Sequence, residues 1–158
     1  MHKVPRWGVH GPQSRSSTQS SDQSGVPRPD RVHLLLVEDD EDTRDLMALA
    51  LRGAGFDVKQ AGSGREALDI LAATPFDLLV TDYDMPGMTG TEMLQIAAER
   101  GIVRGARPLI VTAHPSPKGT AGFPVVRKPL DLARFVALLR SFHAEGAGAL
   151  RPGEKLAN

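Results

Sequence analysis

Short apolar runs alternate along this chain with longer amphipathic stretches. The apolar runs lie at about 32–37, 57–60, 77–81, 108–112 and 125–127, and runs of this length are typical of buried strands. Amphipathic stretches at about 41–54, 64–73, 90–100 and 132–142 have the period of helices. Alternating strands and helices predict an α/β fold, a doubly wound five-stranded parallel sheet covered on both faces.

Several helix starts are marked by side chains that can cap them. Ser63 with Glu66, and Thr89 with Glu92, have the spacing of a capping box, and Asp131 is the expected cap of the last helix. The residues expected on the inward face of the first helix are Thr43, Leu46, Met47, Ala50, Leu51 and Ala54.

The connection between the fourth and fifth strands is too short and too rich in proline for a normal helix. Twelve residues separate Thr112 from Val125, and three of them are prolines. Proline removes a backbone donor and clashes with the preceding turn, so we expect a loop or a single turn here. The loop has few apolar residues to anchor it, which predicts low local stability.

Polar groups gather where the predicted strands end. The acidic run 38–40 follows the first strand, Asp82 and Asp84 follow the third, Thr112 ends the fourth and Lys128 follows the fifth. The carboxyl ends of parallel strands share one edge of a sheet, which is where ligands bind. Clustered carboxylates need compensation, and a hard cation such as Mg²⁺ supplies it. Together with a hydroxyl and an ammonium, they make a site suited to a phosphoryl group.

Composition narrows the classes of function. The formal net charge is zero and no basic patch stands out, which argues against nucleic acid as a direct partner. No apolar run approaches the roughly 20 residues that span a bilayer, and no signal-peptide pattern begins the chain. We therefore expect a cytoplasmic protein with no membrane partner. The absence of cysteine leaves the redox compartment open.

The chain divides by composition into one domain and two tails. Residues 1–30 are rich in Ser, Pro, Gly and Gln and lack an aliphatic pattern, so they are predicted to be a disordered tail. Residues 31–142 carry the periodic pattern of a single domain, and residues 143–158 are predicted to be a flexible C-terminal tail.

Four motifs resemble the receiver domain of two-component response regulators. They are LLLVEDDEDTR at 34–44, DLLVTDYDMPGMTG at 77–90, PLIVTA at 108–113 and RKPLD at 127–131. The resemblance covers roughly 31–142 and implies a flavodoxin-like sheet in the order 2-1-3-4-5, with the site at its switch point. That family usually has a fourth helix where this chain has its short loop, so the fourth helix is expected to be short or absent. Some receivers of hybrid histidine kinases and their free-standing relatives have a similar shortened segment.

The resemblance assigns a phosphoacceptor and a metal site. Asp82 corresponds to the aspartate that accepts a phosphoryl group as an acyl phosphate. Asp39 is the expected direct ligand of Mg²⁺, Glu38 acts through water, and Asp82 and the backbone carbonyl of Asp84 supply further oxygens. Asp40 is expected to turn away and cap the following helix.

Three further residues are implied to hold the phosphoryl group. The hydroxyl of Thr112 and the backbone N–H of Ala113 would each bind a phosphoryl oxygen. Lys128 would pair first with Asp82 and then with the phosphoryl group. Pro129 stands at the position of the family's cis-proline.

Other positions keep two interpretations. Asp84 and His114, each two residues beyond a site residue, either control the lifetime of the phosphoryl group or are simply solvated. Val125 stands where many members carry an aromatic switch residue. Phe123 could replace that residue, although a core role is favoured, and Arg127 is expected to be an exposed strand residue.

These inferences together predict a single-domain response regulator. Asp82 would receive a phosphoryl group from a histidine kinase or a histidine phosphotransfer protein, and the output would be contact with an unidentified downstream protein. The domain would not be a turnover enzyme. One alternative is a pseudo-receiver that binds partners without phosphorylation. The other is a haloacid-dehalogenase-like phosphohydrolase, suggested by the D-x-D pattern of Asp82 and Asp84.

Overall fold

A computed structural model of the chain describes residues 31–120 and 122–145. Within them lie five strands and four helices, close to the predicted bounds. In chain order the elements are β1 His33–Val37, α1 Glu41–Gly53, β2 Asp57–Ala61, α2 Gly64–Ala73, β3 Leu78–Asp82, α3 Gly90–Glu99, β4 Arg107–Thr112, β5 Val125–Arg127 and α4 Leu132–Ala144.

The five strands form one parallel sheet in the order β2-β1-β3-β4-β5. This confirms the predicted flavodoxin-like, doubly wound fold. The register pairs Val37 with Thr81, and Asp82 with Val111. The ends of β1, β3 and β4 therefore lie side by side, and the polar residues that follow them share one edge of the sheet.

Alternate residues of the central strands feed two separate cores. Leu34 and Leu36 on β1 pack with α1 and α4 on one face, whereas Leu35 and Val37 pack with α2 and α3 on the other. All four side chains are almost completely buried. Because both faces of the sheet are covered, the strands consist of consecutive apolar residues. Close packing on both faces also holds the strand ends in fixed positions relative to each other.

The inward face of α1 differs from the prediction at Leu46. Met47, Ala48 and Leu51 are buried, whereas Leu46 is 59% exposed and Leu49 is 70% exposed. Every position from 46 to 51 is apolar, so the periodicity did not define which arc of the helix faces the sheet. The contacts with β2 and α4 decide it.

The predicted helix caps are present, one of them in a modified form. Thr89 and Glu92 form a complete capping box at the start of α3. At α2, the hydroxyl of Ser63 accepts from the backbone N–H of Glu66, but the Glu66 carboxylate accepts from the N–H of Gly62 and not from that of Ser63. The capping box of α2 thus has its usual hydroxyl contact, while its carboxylate contact is shifted from Ser63 to Gly62.

The β4–β5 loop, residues 113–124, contains no helix in its described part, 113–120 and 122–124. This confirms the prediction made from its prolines. Phe123 is half-buried against the core on the α2 and α3 side, which supports its core role. Helix α4 continues to Ala144, so residues 143 and 144 are helical.

The predicted tails lie outside the described residues, apart from 143–145. Among the helices that the structure describes, none has the length and apolar character needed to cross a membrane.

Candidate functional site

The candidate site lies at the carboxyl edge of the sheet, where four strands each contribute one polar residue. Glu38 follows β1, Asp82 ends β3, Thr112 ends β4 and Lys128 follows β5. Glu38, Asp82 and Thr112 are buried, with 3%, 7% and 0% of their surface exposed. Buried polar side chains require partners: Glu38 and Asp82 pair with Lys128, and Thr112 accepts from the backbone N–H of His114.

Lys128 is the central cation of the site. Its Nζ lies 3.1 Å from Oδ1 of Asp82 and 3.2 Å from Oε2 of Glu38. The pair with Asp82 is the contact that the sequence predicted, whereas the pair with Glu38 was not expected. The Lys128–Pro129 peptide bond is cis, as the resemblance implied, and the backbone N–H of Lys128 donates to the carbonyl of Thr112.

Three carboxylates converge beside this lysine. One oxygen from each of Glu38, Asp39 and Asp82 lies within 4.8 Å of the others. Asp39 is exposed, while Asp40 is turned away and accepts from the backbone N–H of Thr43 at 2.8 Å as the N-cap of α1. The structure therefore separates the acidic run 38–40 into two members at the site and one helix cap.

The two buried carboxyls of the site have raised pKa values, mainly because of burial. Burial raises the pKa of Asp82, and Asp84 adds to the effect, against the opposing hydrogen bond and attraction of Lys128. Burial and the nearby Asp82 raise the pKa of Glu38. Burial alone would lower the pKa of Lys128, but its hydrogen bond with Asp82 and its attraction to both carboxylates raise it. One ammonium does not fully compensate these carboxylates.

This donor set fits a hard divalent cation. Its atoms are carboxylate oxygens, which Mg²⁺ and Ca²⁺ prefer, and the raised pKa values of Asp82 and Glu38 show that further positive charge would be favourable. Glu38 is engaged through both oxygens, with Lys128 and with the backbone N–H of Asp40 at 3.2 Å. A cation would therefore reach Asp39 and Asp82 more readily than Glu38.

Thr112 is fully buried at the end of β4. Its Oγ1 accepts from the backbone N–H of His114 at 2.9 Å, which fixes the start of the β4–β5 loop. A hydroxyl can accept and donate at once, so the Thr112 proton is still able to bind an anionic oxygen. Ala113 lies between these residues and is exposed.

Tyr83 is a site residue that the sequence analysis missed. Its buried ring lies beside His114, with ring centroids 5.5 Å apart and planes at 58°. Its hydroxyl accepts from the backbone N–H of Lys118 at 2.9 Å. Tyr83 directly follows β3, whereas the Lys118 amide lies on the β4–β5 loop, 35 residues further along the chain. A local motif carries no signal for a contact of this range.

Further contacts hold the β4–β5 loop against the site. Arg127 is exposed as predicted, yet its guanidinium also donates to the carbonyls of His114 and Pro115. The His114 ring accepts through Nδ1 from the backbone N–H of Ser116 at 3.0 Å. Polar contacts thus anchor a loop that has few apolar residues, and its low local stability stays a prediction.

Gly90 permits the close approach of α3 to the end of β3. A Cβ at this position would lie 2.2 Å from the backbone carbonyl oxygen of Asp82 and 3.0 Å from Oγ1 of Thr81. The backbone N–H of Gly90 donates to the carbonyl of Tyr83 at 2.9 Å. The last glycine of the DLLVTDYDMPGMTG motif is therefore required by packing directly behind Asp82.

Comparison with known proteins identifies the family. A profile of the response regulator receiver domain matches residues 34–140. The chain belongs to the response regulator receiver domain family. The receiver protein CpdR of Brucella abortus is 42% identical over 66 residues, which are 42% of this chain and 55% of that protein. GlrR of Escherichia coli, a transcriptional regulatory protein, is 38% identical over 107 residues, 63% of this chain and 23% of GlrR.

Solved receiver structures have the same fold. The receiver domain of the hybrid histidine kinase CckA is 30% identical, with a TM-score of 0.60, covering 69% of this chain and 96% of that one. This chain spans only 33% of the length of the similar Anaeromyxobacter receiver protein and 23% of GlrR. The likeness to these longer proteins therefore concerns only a part of each.

Proposed function

We propose that Asp82 receives a phosphoryl group from the phosphohistidine of a histidine kinase or a histidine phosphotransfer protein, in a reaction that requires Mg²⁺. The observation that carries this proposal is the contact of Asp82 with Lys128 inside the cluster of Glu38 and Asp39. Family membership supports a signalling role in a two-component system.

The residues of the site suit in-line transfer. A carboxylate oxygen of Asp82 attacks phosphorus while the bond to the imidazole nitrogen breaks, and the imidazole leaves with the electron pair. Lys128 would exchange its contact with Asp82 for one with a phosphoryl oxygen. The Thr112 hydroxyl and the Ala113 N–H would bind the other phosphoryl oxygens.

A cation at this site would be held mainly by Asp39 and Asp82. Glu38, already engaged by Lys128, would act through water, and the backbone carbonyl of Asp84 would complete the protein ligands. Mg²⁺ bound there would neutralise negative charge on the phosphoryl oxygens.

The geometry disfavours the two alternatives. A pseudo-receiver would not need an ammonium paired with the acceptor and three convergent carboxylates. A haloacid-dehalogenase-like phosphohydrolase would use Asp82 and Asp84 of the D-x-D pattern, but Asp84 is exposed while Glu38 of another strand is buried at the site. We therefore propose a phosphorylation-dependent signal and not repeated hydrolysis of a phosphoester.

The proposal extends to partners and place. The phosphodonor is a histidine-bound phosphoryl group, and the downstream partner is a protein that distinguishes the phosphorylated surface. The net charge of zero supports a protein and not nucleic acid as the direct contact. A cytoplasmic location stays a prediction.

Chemical phosphorylation tests this function. Acetyl phosphate with Mg²⁺ should add one phosphoryl group to the protein, measured by intact mass and mapped to Asp82. Asp82→Asn should abolish the adduct, whereas the matched control Asp84→Asn, two residues away and exposed, should retain it. An adduct that persists in Asp82→Asn would rule out the assignment, and an unlabelled wild-type protein would favour a pseudo-receiver.

A further inference from the structure

Tyr83 connects the proposed acceptor to a loop that is distant in sequence. It follows Asp82 directly, and two hydrogen bonds fix its backbone. The N–H of Tyr83 donates to the carbonyl of Val111, and the carbonyl of Tyr83 accepts from the N–H of Gly90. With its backbone held on both sides, the side chain extends from a rigid point. Its hydroxyl meets the backbone N–H of Lys118 at 2.9 Å.

The backbone of Lys118 is held from two directions. Tyr83 accepts from its N–H, and the hydroxyl of Thr91 on α3 donates to its carbonyl at 3.2 Å. Lys118 is exposed. Tyr83 and Thr91 therefore hold its backbone and not its side chain.

The segment between Thr112 and Lys118 is therefore fixed at both ends. At its start, the N–H of His114 donates to Oγ1 of Thr112. Ala113 lies inside this segment, and its backbone N–H is the proposed donor to a phosphoryl oxygen. The orientation of that N–H depends on both ends of the segment, and Tyr83 supplies one of them.

We propose that Tyr83 is a positioning residue for phosphoryl transfer. Through the amide of Lys118, its hydroxyl holds the segment 113–118 in place before a phosphoryl group arrives. This inference rests on the proposed function of Asp82 and adds a residue to it. The Tyr83 ring, directly after β3, also lies beside the ring of His114 at the start of the loop.

Pre-ordering of this kind acts on the rate of transfer. A loop that is already held loses less conformational freedom when its N–H binds the transferred group. The loss of one neutral hydrogen bond should slow labelling by roughly threefold to tenfold. Lys118 is an exposed loop residue and its contact with Tyr83 is only partly buried, so water can replace the lost partner and the fold should survive.

The experiment compares Tyr83→Phe with two other variants. Tyr83→Phe removes the hydroxyl and keeps the ring beside His114. Thr91→Val removes the other bond to Lys118 and should slow acetyl phosphate labelling in the same direction. Ser116→Ala, on the same loop, leaves the backbone contacts in place and should label at the wild-type rate. Melting temperatures check that each variant is folded.

One readout in the protein without a phosphoryl group separates positioning from general destabilisation. Hydrogen exchange at 113–118 should become faster in Tyr83→Phe, while exchange in β1 and β3 stays unchanged.

The outcomes distinguish this inference from the proposed function. If the wild-type protein labels at Asp82 and Tyr83→Phe labels equally fast, Tyr83 has no positioning role. Unchanged exchange at 113–118 in Tyr83→Phe would equally overturn it. If the wild-type protein does not label, the proposed function fails, while the exchange measurement still decides whether Tyr83 holds the loop.

Discussion

At the residue scale, the site has fewer positive than negative side chains. One ammonium, that of Lys128, contacts two buried carboxylates, those of Glu38 and Asp82. A buried charge that loses its partner is costly, because its hydration is not restored and its attraction is gone. Lys128 is therefore expected to stabilise the metal-free fold through both ion pairs.

Lys128→Met should destabilise the metal-free protein by about 1–3 kcal/mol. This estimate is below the full value for a buried pair because the Lys128 side chain is 26% exposed. Urea unfolding without Mg²⁺ measures the loss. Adding Asp82→Asn to Lys128→Met removes one unpaired carboxylate and should restore part of the stability. Equal stability of Lys128→Met and wild type would show that the ion pairs contribute little.

The raised pKa values of Glu38 and Asp82 predict how metal-free stability depends on pH. The folded state holds these protons more tightly than the unfolded state, whose values are near 4.5 and 3.8. Ionisation of these two groups therefore costs stability above their folded pKa values. That cost is relieved as the pH falls toward the unfolded values.

Thermal melts in a chelator from pH 7 to about 4.5 should show this contribution. Asp82→Asn, which lacks one of the two groups, should have a weaker dependence on pH than wild type. Asp40, whose pKa is lowered by its hydrogen bonds with Thr43, loses its contribution only as the pH falls below 3.8. Protonation of Asp40 should therefore not mask the pH dependence that Glu38 and Asp82 produce above pH 4.5. Identical pH dependence in the two proteins would contradict the prediction.

At the element scale, local signals in the sequence predicted most of the structure. Apolar runs gave all five strands, and Thr89 with Glu92 gave a complete cap. Helix α1 is an exception. Its six consecutive apolar residues did not show which side of the helix faces the sheet, and Leu46, which was predicted to face inward, is exposed.

The parts of the site that the sequence did not predict are long-range contacts. Glu38 and Lys128 are 90 residues apart, and Tyr83 and Lys118 are 35 apart. Motifs marked three of these residues, but their pairing depends on the path of the β4–β5 loop. A loop rich in proline and glycine has no periodicity from which that path could be read.

Gly90→Ala should displace α3 from the acceptor strand. The added Cβ would meet the backbone carbonyl of Asp82, which cannot move aside as a flexible side chain could. We expect a loss of about 1–3 kcal/mol, the typical range for overpacking in a well-packed core, together with slower labelling of Asp82. Gly53→Ala on α1, where an added Cβ meets nothing within 4 Å, is the matched control. It should be neutral or slightly stabilising. Similar stability of the two variants would show that α3 adjusts freely.

At the scale of the whole molecule, the site and the global fold are coupled. The carboxylates extend from strands whose other residues form the two cores, so their positions are fixed by the packing of the entire sheet. A small single domain usually unfolds cooperatively. A cation that binds the folded site and not the unfolded chain should therefore stabilise the whole domain.

Mg²⁺ should raise the melting temperature of the wild-type protein, and Asp39→Ala should abolish the rise. Asp39 is exposed and offers one of the three convergent oxygens, so its removal takes away a ligand without opening a cavity in the core. In a chelator, Asp39→Ala should melt at the same temperature as wild type or higher, because one source of like-charge repulsion is gone. Asp42→Ala, an exposed acidic residue in the first turn of α1, controls for the loss of a charge alone and should keep the response to Mg²⁺. A marked loss of metal-free stability in Asp39→Ala would show that Asp39 has a structural role. A full response to Mg²⁺ in the same variant would place the cation elsewhere.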